Sequence, residues 1–336
     1  MVNTVANPTI RDVAKQANVS VATVSRVLNG LPGYTEDTKR RVLEAIDRLG
    51  FRRNALATGL VSRRTSIIGV LLPRISDRWS TMLLQGIEHA AHELSHSVIV
   101  CNTDDDADRT LHELQVLGER QADGVIYAGS HLRDDCGKEL ERMGIPVVLV
   151  STSSTRYQLP YVRVDDTAAA FHATRYLVEN GHHSIGMIAG PSADPASGGT
   201  RVEGFLQALR EAGLDADGDR VTHGDLSFRS GLDAMDRLMA QVQGLTAVFA
   251  ASDEMAVGAI AWCGTHQVRV PEQMSVIGYN DTQDAEMSVP PLTTVRQPIY
   301  EMGRRAATII VDRRHRQESL VMPFSIVERS SVRRCA

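Results

Sequence analysis

Seven short apolar runs recur along the chain: IIGVLL (67–72), SVIVCN (97–102), GVIYAG (124–129), PVVLVS (146–151), SIGMIAG (184–190), AVFAAS (247–252) and SVIGYN (275–280). Each has the length of one strand, and stretches with helical spacing such as LLQGIEHAAHEL and AAAFHATRYLVENG lie between them. Strands separated by helices, and apolar almost throughout, argue for parallel sheets covered on both faces. The expected fold class is α/β. So many strands over roughly 260 residues imply two α/β halves. Ligands of such sheets bind beyond the carboxyl ends of the strands, which places the expected site in the cleft between the halves.

The N-terminal part reads differently. Residues 1–64 carry 11 Lys+Arg against 5 Asp+Glu, a net charge of +6, whereas the remainder carries 25 basic and 36 acidic residues, a net of −11. A basic head on an acidic body suggests that only the head meets a polyanion, nucleic acid being the obvious one. Thr9 can cap a helix through IRDVAKQA, Asn18 makes a tight turn, and Ser20 caps a second helix that ends at Gly30. Pro32-Gly33 breaks the chain before Thr35 opens a third helix, closed by Gly50. Helix, short turn, helix is the helix-turn-helix plan, whose second helix enters the DNA major groove. On that helix Val24, Val27 and Leu28 face the core, and Val21, Ala22, Ser25 and Arg26 project outward. Arg26 suits a bidentate contact to guanine, and Val21 or Ala22 a thymine methyl.

TIRDVAKQANVSVATVSRVLNG, VLEAIDRLGF and RRNALATGL resemble the DNA-binding head and hinge of the lactose-repressor (LacI/GalR) family, and the resemblance continues along essentially the whole chain. It implies a hinge helix over 54–60 that folds only on the operator, with Leu60 wedged into a minor-groove base step. Thr58 and Gly59 are poor helix formers, in agreement with a segment unfolded until bound. Arg53 stands where the family often has proline. The expected DNA-binding set is Thr9, Ser20, Val21, Ala22, Thr23, Ser25, Arg26, Asn29, Asn54, Ala57 and Leu60. The resemblance also implies a periplasmic-binding-protein-like core in which the chain crosses between lobes three times. The expected domains are a head at 1–52, a hinge and linker at 53–65 and a core at 66–336. Within the core, the N-lobe is about 66–164 plus 294–320 and the C-lobe about 165–293 plus 321–333.

Side chains at the strand ends are expected to line the cleft. The resemblance places RISDRWS (74–80) at the effector, where Trp79 can stack on a sugar ring or a base, and matches Arg201 in GGTRVEGF to the family's effector-binding arginine. Ser151, Asp253 and Asn280 close strands whose ends meet the cleft, and their dipoles can read hydroxyls. Leu226 and Ser80 complete the expected effector set. Sugar-binding members commonly carry aspartate where this chain has Asn280, an amide that both donates and accepts.

HELSH (92–96) fits H-E-x-x-H, in which two histidines one helical turn apart grip zinc. The apolar stripe Leu83, Leu84, Ile87, Ala90, Ala91, Leu94 turns His89, Glu93 and His96 toward solvent, and no third ligand follows, so a surface helix is expected and no metal. Asp215-Ala-Asp217-Gly-Asp219 lacks the glycine and the glutamate of a calcium loop, and Asp104-Asp105-Asp106 reads as a solvated loop. There is no G-x-S-x-G, Walker loop or G-x-G-x-x-G, so no enzyme class is supported and no cofactor is expected. Cys101, Cys136, Cys263 and Cys335 lie far apart, as idle thiols of a reducing compartment do. No apolar stretch reaches the length of a membrane span, and the N-terminus reads as no export signal, which a periplasmic binding protein needs.

The expected protein is a cytoplasmic, sequence-specific DNA-binding transcription regulator. It is expected to repress from a pseudo-palindromic double-stranded operator and to be released by a small sugar-like effector. A purine-like corepressor or an activating role on the same fold is the alternative, and a zinc metallopeptidase a remote one. ERSSVRRCA carries no leucine-heptad tail of the kind that makes tetramers, so a homodimer is expected.

Overall fold

The computed structural model describes residues 8–28, 30–51, 65–129, 131–154, 156–312, 314–315 and 317–335, which fall into two compact units divided between Thr65 and Ser66. The first contains α1 (Ile10–Ala17), α2 (Val21–Leu28) and α3 (Glu36–Leu49). Thr9 and Asp12 form a reciprocal capping box at α1, and Asn18 ends that helix in the left-handed region at φ 50°. Ser20 Oγ accepts from Thr23 N at 3.1 Å, and Thr35 Oγ1 from Thr38 N at 3.2 Å, so each of these helix starts has one of its orphan amides bonded. Val13, Ala14 and Ala17 pack on Val24, Val27, Val42 and Ala45 to make a small core.

The second unit holds two six-stranded sheets. In chain order it contains β1 (Ile67–Leu72), α4 (Arg78–Glu93), β2 (Ser97–Asn102), α5 (Ala107–Glu119), β3 (Gly124–Ala128), α6 (Asp134–Met143), β4 (Val147–Val150) and β5 (Tyr161–Val164). There follow α7 (Asp166–Glu179), β6 (Ile185–Ala189), α8 (Arg201–Glu211), β7 (Val221–His223), α9 (Phe228–Gln241), β8 (Ala247–Ala250), α10 (Asp253–Thr265) and β9 (Ser275–Asn280). The chain closes with α11 (Gln283–Met287), β10 (Thr293–Arg296), α12 (Ile299–Val311), β11 (Leu320–Met322) and β12 (Ser325–Val327). The first sheet has the order β11-β5-β4-β3-β1-β2 and the second β12-β10-β9-β8-β6-β7. Every pairing is parallel except β10 with β12.

All seven apolar runs are strands, and five further strands join them. In β1, Ile68, Val70 and Leu72 pack toward α4 and α12, while Leu71 packs toward α5 and α6. Both faces are covered, which is why the run is apolar throughout. Full burial of one such leucine contributes about 1.5–3 kcal/mol. The helices on the first face sit close: a Cβ on Gly86 of α4 would meet the Tyr300 carbonyl of α12, and one on Gly303 the Leu83 carbonyl. The second sheet has one continuous core, with Phe205, Phe249 and Tyr279 among its largest buried side chains.

The chain passes between the sheets three times: after β5, after β10 and between β11 and β12. Two of the expected lobe boundaries therefore shift. β10 belongs to the second sheet, hydrogen-bonded to β9, so the second crossing follows Arg296 instead of lying at 294. β11 pairs with β5 through Met322, which carries the first lobe beyond 320. Both strands lie near sheet edges and are too short to show a periodicity that assigns them to a lobe.

Candidate functional site

In the head, Val21, Ala22 and Arg26 are exposed on one side of α2, Thr23 and Ser25 are half-buried, and Val24 and Val27 are buried on the other. Thr9 and Ser20 are exposed and serve as helix caps, with their hydroxyls on Asp12 and Thr23. Arg26 folds back over the turn after the helix, and a Cβ on Gly33, whose φ is +111°, would lie 3.3 Å from Arg26 Nη1. Asn29, Asn54, Ala57 and Leu60 lie outside the described residues, as do Arg53, Thr58 and Gly59.

In the second unit a cavity of about 510 Å³ opens between the two sheets. Its walls come from the segments that leave the carboxyl ends of the strands: Arg74, Asp77 and Trp79 after β1, Asp105 after β2, Ser151 after β4, Asp194 and Ser197 after β6, Leu226 and Phe228 after β7, Ser252 and Glu254 after β8, and Asn280 at the end of β9. Ser151 (φ 57°), Leu226 (φ 71°) and Asn280 (φ 119°) all hold left-handed backbone without being glycine. Such residues cost about 1–3 kcal/mol each and cluster at binding sites.

Arg201 anchors the second wall. Its Nε donates to Asp166 Oδ1 at 2.8 Å, its Nη1 to the Ala251 carbonyl at 2.7 Å, and its guanidinium lies 3.8 Å from the centre of the Tyr279 ring. The Tyr279 hydroxyl donates to the same Asp166 oxygen at 2.8 Å. Burial opposes the arginine's charge, but Asp166 and Tyr279 overcome it and hold the guanidinium above its ordinary pKa. Three contacts tie the lobes across the cavity: Arg74 Nη2 donates to the Asp225 carbonyl at 2.6 Å, the Arg78 amide to Glu254 Oε1 at 3.3 Å, and Arg78 Nε lies 3.6 Å from Asp284. Burial pushes the Glu254 carboxyl up to about 7, with Asp77 and Asp284 nearby acting in the same direction.

Five of the seven expected effector residues, Trp79, Ser151, Arg201, Leu226 and Asn280, line this cavity. Asp253 does not. It is 1% exposed, and its carboxylate accepts from Thr294 Oγ1 at 2.5 Å and from Thr282 N and Oγ1 at 2.7 and 3.1 Å, pinning α10 to β10. Burial outweighs these three donors and pushes its pKa up to about 7. Ser80 is also fully buried and away from the cavity walls, because it faces the sheet while its neighbour Trp79 faces the ligand space.

The aspartate triplet is a solvated loop, as expected, with all three residues exposed. Asp106 caps α5, Asp104 pairs with Arg109, and Asp105 lines the cavity. The backbone does this by turning through left-handed φ at Asp104 and Asp105. HELSH is split by its own backbone: α4 ends at Glu93 and Ser95 takes φ 58°, so His96 leaves the helical face that His92 occupies. Glu93 is held by Arg304 of α12 at 2.7 Å. Among the described residues no three His, Cys, Asp or Glu side chains gather where they could hold a metal ion. Asp215 is taken by Arg220, and Cys101, Cys136 and Cys263 are buried thiols.

Comparison with known proteins matches residues 9–54 to the bacterial regulatory proteins of the lacI family and residues 174–332 to a periplasmic binding protein-like domain. Catabolite control protein A of Priestia megaterium is 37% identical over 304 residues, which cover 90% of this chain and 92% of that protein. The chain belongs to the LacI family. Among solved structures, the lac repressor dimer bound to operator and the anti-inducer ONPF shares the architecture of this LacI-family chain at a TM-score of 0.87, with 26% identity over 97% of this chain and 99% of that one. The transcriptional regulator CelR in complex with cellobiose has a TM-score of 0.74 and 31% identity, over 96% of this chain and 99% of that one. The family places the chain among bacterial transcription regulators with a DNA-binding helix-turn-helix head. No helix among the described residues is long and apolar enough to cross a membrane.

Within this LacI-family core, sequence reasoning placed the loop of Arg74 and Asp77 at the effector without singling out either residue, and it missed Asp194, Phe228 and Glu254 on the cavity wall. Asp77 and Asp194 were findable, since each opens a helical turn as its N-cap. Glu254 follows Asp253 directly, and only the turn from β8 into α10 decides which of the two carboxylates reaches the cleft.

Proposed function

We propose that this LacI-family chain is a cytoplasmic homodimeric repressor that binds a pseudo-palindromic operator and releases it when a sugar-like effector fills the cavity at the carboxyl ends of the strands. It binds and does not catalyse. The observation that carries the reading is the Arg201 site: a guanidinium locked by Asp166, Ala251 and Tyr279 at the wall of a large cavity whose other walls supply hydroxyl, amide and carboxylate groups together with Trp79 and Phe228. Directional polar groups with an aromatic face are what a sugar ring requires. Support comes also from CelR, solved with cellobiose, and from the lac repressor, solved as a dimer on its operator. The effector controls DNA binding through its different affinity for two arrangements of the core, and by the same coupling operator weakens effector binding.

The test begins with operator sites selected from a random duplex library, read by fluorescence anisotropy with the purified chain. Selected sites are expected to show two-fold symmetry, and a saturating effector to lower affinity for them. Arg26→Ala is expected to cost about 1–3 kcal/mol on the selected site and to relax one base position. Equal weakening on all sequences would reassign Arg26 to a phosphate contact. Tighter operator binding on adding effector would make the ligand a corepressor.

A further inference from the structure

The cavity's charges and size carry the reading of its ligand further, resting on the proposal that the cleft takes a sugar-like effector. Its walls hold four carboxylates, Asp77, Asp105, Asp194 and Glu254, against two guanidinium groups. One of the two cations already has a buried counter-charge. Arg201 is already paired with the buried Asp166, and Arg74 reaches across the lobes to the Asp225 carbonyl. A phosphate or carboxylate entering here meets four carboxylates against one guanidinium whose charge has no buried partner, a net repulsion.

Three of the four carboxylates are equally unsuited to hold an ammonium ion. Asp77 accepts from Ser80 N at 2.6 Å, and Asp194 accepts from Ala196 N at 3.0 Å, Ser197 N at 3.2 Å and the Ser197 hydroxyl. They are helix caps before they are ligands. Burial, with Asp77 and Asp284 nearby acting in the same direction, pushes Glu254 up to about 7, so near neutral pH it exchanges between donor and acceptor. A ligand hydroxyl does the same, and a fixed cation does not. Ser151 Oγ is buried without a hydrogen-bond partner at the opposite wall. Trp79 from one lobe and Phe228 from the other add apolar faces. At about 510 Å³ the cavity lies well inside the roughly 300–1,000 Å³ range of small-molecule sites and admits a ligand of two rings.

The geometry points to an uncharged glycoside as the effector: a sugar carrying a second ring on its anomeric carbon, without phosphate, carboxylate or amine. The second ring is another sugar or a nucleobase, and both satisfy the same walls.

Isothermal titration and thermal shift on the full chain, at pH 7.5, test this with matched probes. The disaccharides cellobiose and maltose and the nucleosides cytidine and adenosine are each set against glucose, glucosamine, glucose 6-phosphate, a disaccharide phosphate or the nucleoside monophosphate. At least one uncharged two-ring compound is expected to bind and to change operator affinity, with its phosphorylated counterpart roughly 100-fold weaker or more. The class that responds distinguishes a second sugar from a base. Glu254→Gln, checked for folding by circular dichroism, is expected to narrow the preference for neutral over phosphorylated ligand by about tenfold or more. A phosphorylated, acidic or amino sugar that binds tighter than every neutral two-ring probe and still shifts operator affinity overturns this inference and leaves the proposed function standing. So does an unchanged preference in Glu254→Gln. A chain whose operator affinity responds to no sugar or nucleoside overturns the sugar-effector reading itself, and this inference with it.

Discussion

Arg201 lines the ligand cavity and is at the same time the counter-charge of a buried aspartate, so its replacement has two consequences. Arg201→Ala removes a charge-assisted donor from the cavity, and it also leaves Asp166, 7% exposed, with the Tyr279 hydroxyl as its remaining partner. Breaking one side of such a pair costs about 3–5 kcal/mol, most of it the uncompensated charge. In a core of this size the melting temperature is expected to fall on the order of 10 °C. Asp166→Ala added to Arg201→Ala is expected to recover part of that loss, because the two residues are in contact. A melting temperature within a degree of the parent in the single variant would mean that water or a neighbour takes the place of the guanidinium. Loss of effector response in Arg201→Ala is interpretable only beside this measurement. The sequence marks Arg201 as a cavity residue but says nothing of Asp166, which lies 35 positions earlier.

At the scale of elements, two pairings hold the ligand space in place. α4 carries the wall residue Trp79 at its start and is locked on α12 by close backbone approach at Gly86 and Gly303. Gly86→Val would drive its Cβ into the Tyr300 carbonyl, and backbone cannot step aside as a flexible side chain can. The expected cost is about 1–3 kcal/mol or more, at roughly 2–4 °C in melting temperature per kcal/mol. Thermal unfolding followed by circular dichroism reads it, and a melting temperature unchanged by Gly86→Val would show that the two helices are free to separate. α9 and α10 use the same device, with Gly231 against the Met255 carbonyl and Gly258 against that of Phe228, which keeps Phe228 and Glu254 side by side at the cavity. Neither pairing is visible as a pattern in the chain, because a glycine inside a helix reads as a weak position until its neighbour is known.

For the whole core, two carboxyls that burial raises make one contribution to the pH dependence of stability. Asp253 and Glu254 are pushed up to about 7 from ordinary values of 3.8 and 4.5. Between those values and about 7 the folded chain keeps protons that the unfolded chain has released, so this contribution falls as pH rises through this window and is lowest above it. His182 works in the opposite direction: burial lowers its pKa, so the stability tied to its neutral form is lost as pH falls below 6.5. The informative quantity is therefore the difference between variants. The gap in melting temperature between pH 6 and pH 8 is expected to change in Glu254→Gln by loss of the part that favours pH 6. A gap identical to that of the parent would show that Glu254 titrates alike in the folded and unfolded chains.

What the sequence determined by itself was everything written into local runs and periods. Six of the seven apolar strands announce themselves because burial on both faces leaves little room for polar positions, the edge strand β2 by its apolar run alone, and the three head helices because Thr9, Ser20 and Thr35 cap them. The five strands it did not reveal are short and mostly peripheral, and none of YVRV, VTH, TTVR, LVM and SIV is buried along its whole length. Among the cavity residues, position at a strand end was legible, but side-chain direction was not. Trp79 reaches the ligand space and Ser80 the sheet; Glu254 reaches it and Asp253 binds Thr282 and Thr294. Those choices belong to the tertiary structure, because one step along a tight strand-to-helix turn swings a side chain to the opposite side. What each turn adopts is decided by partners far along the chain.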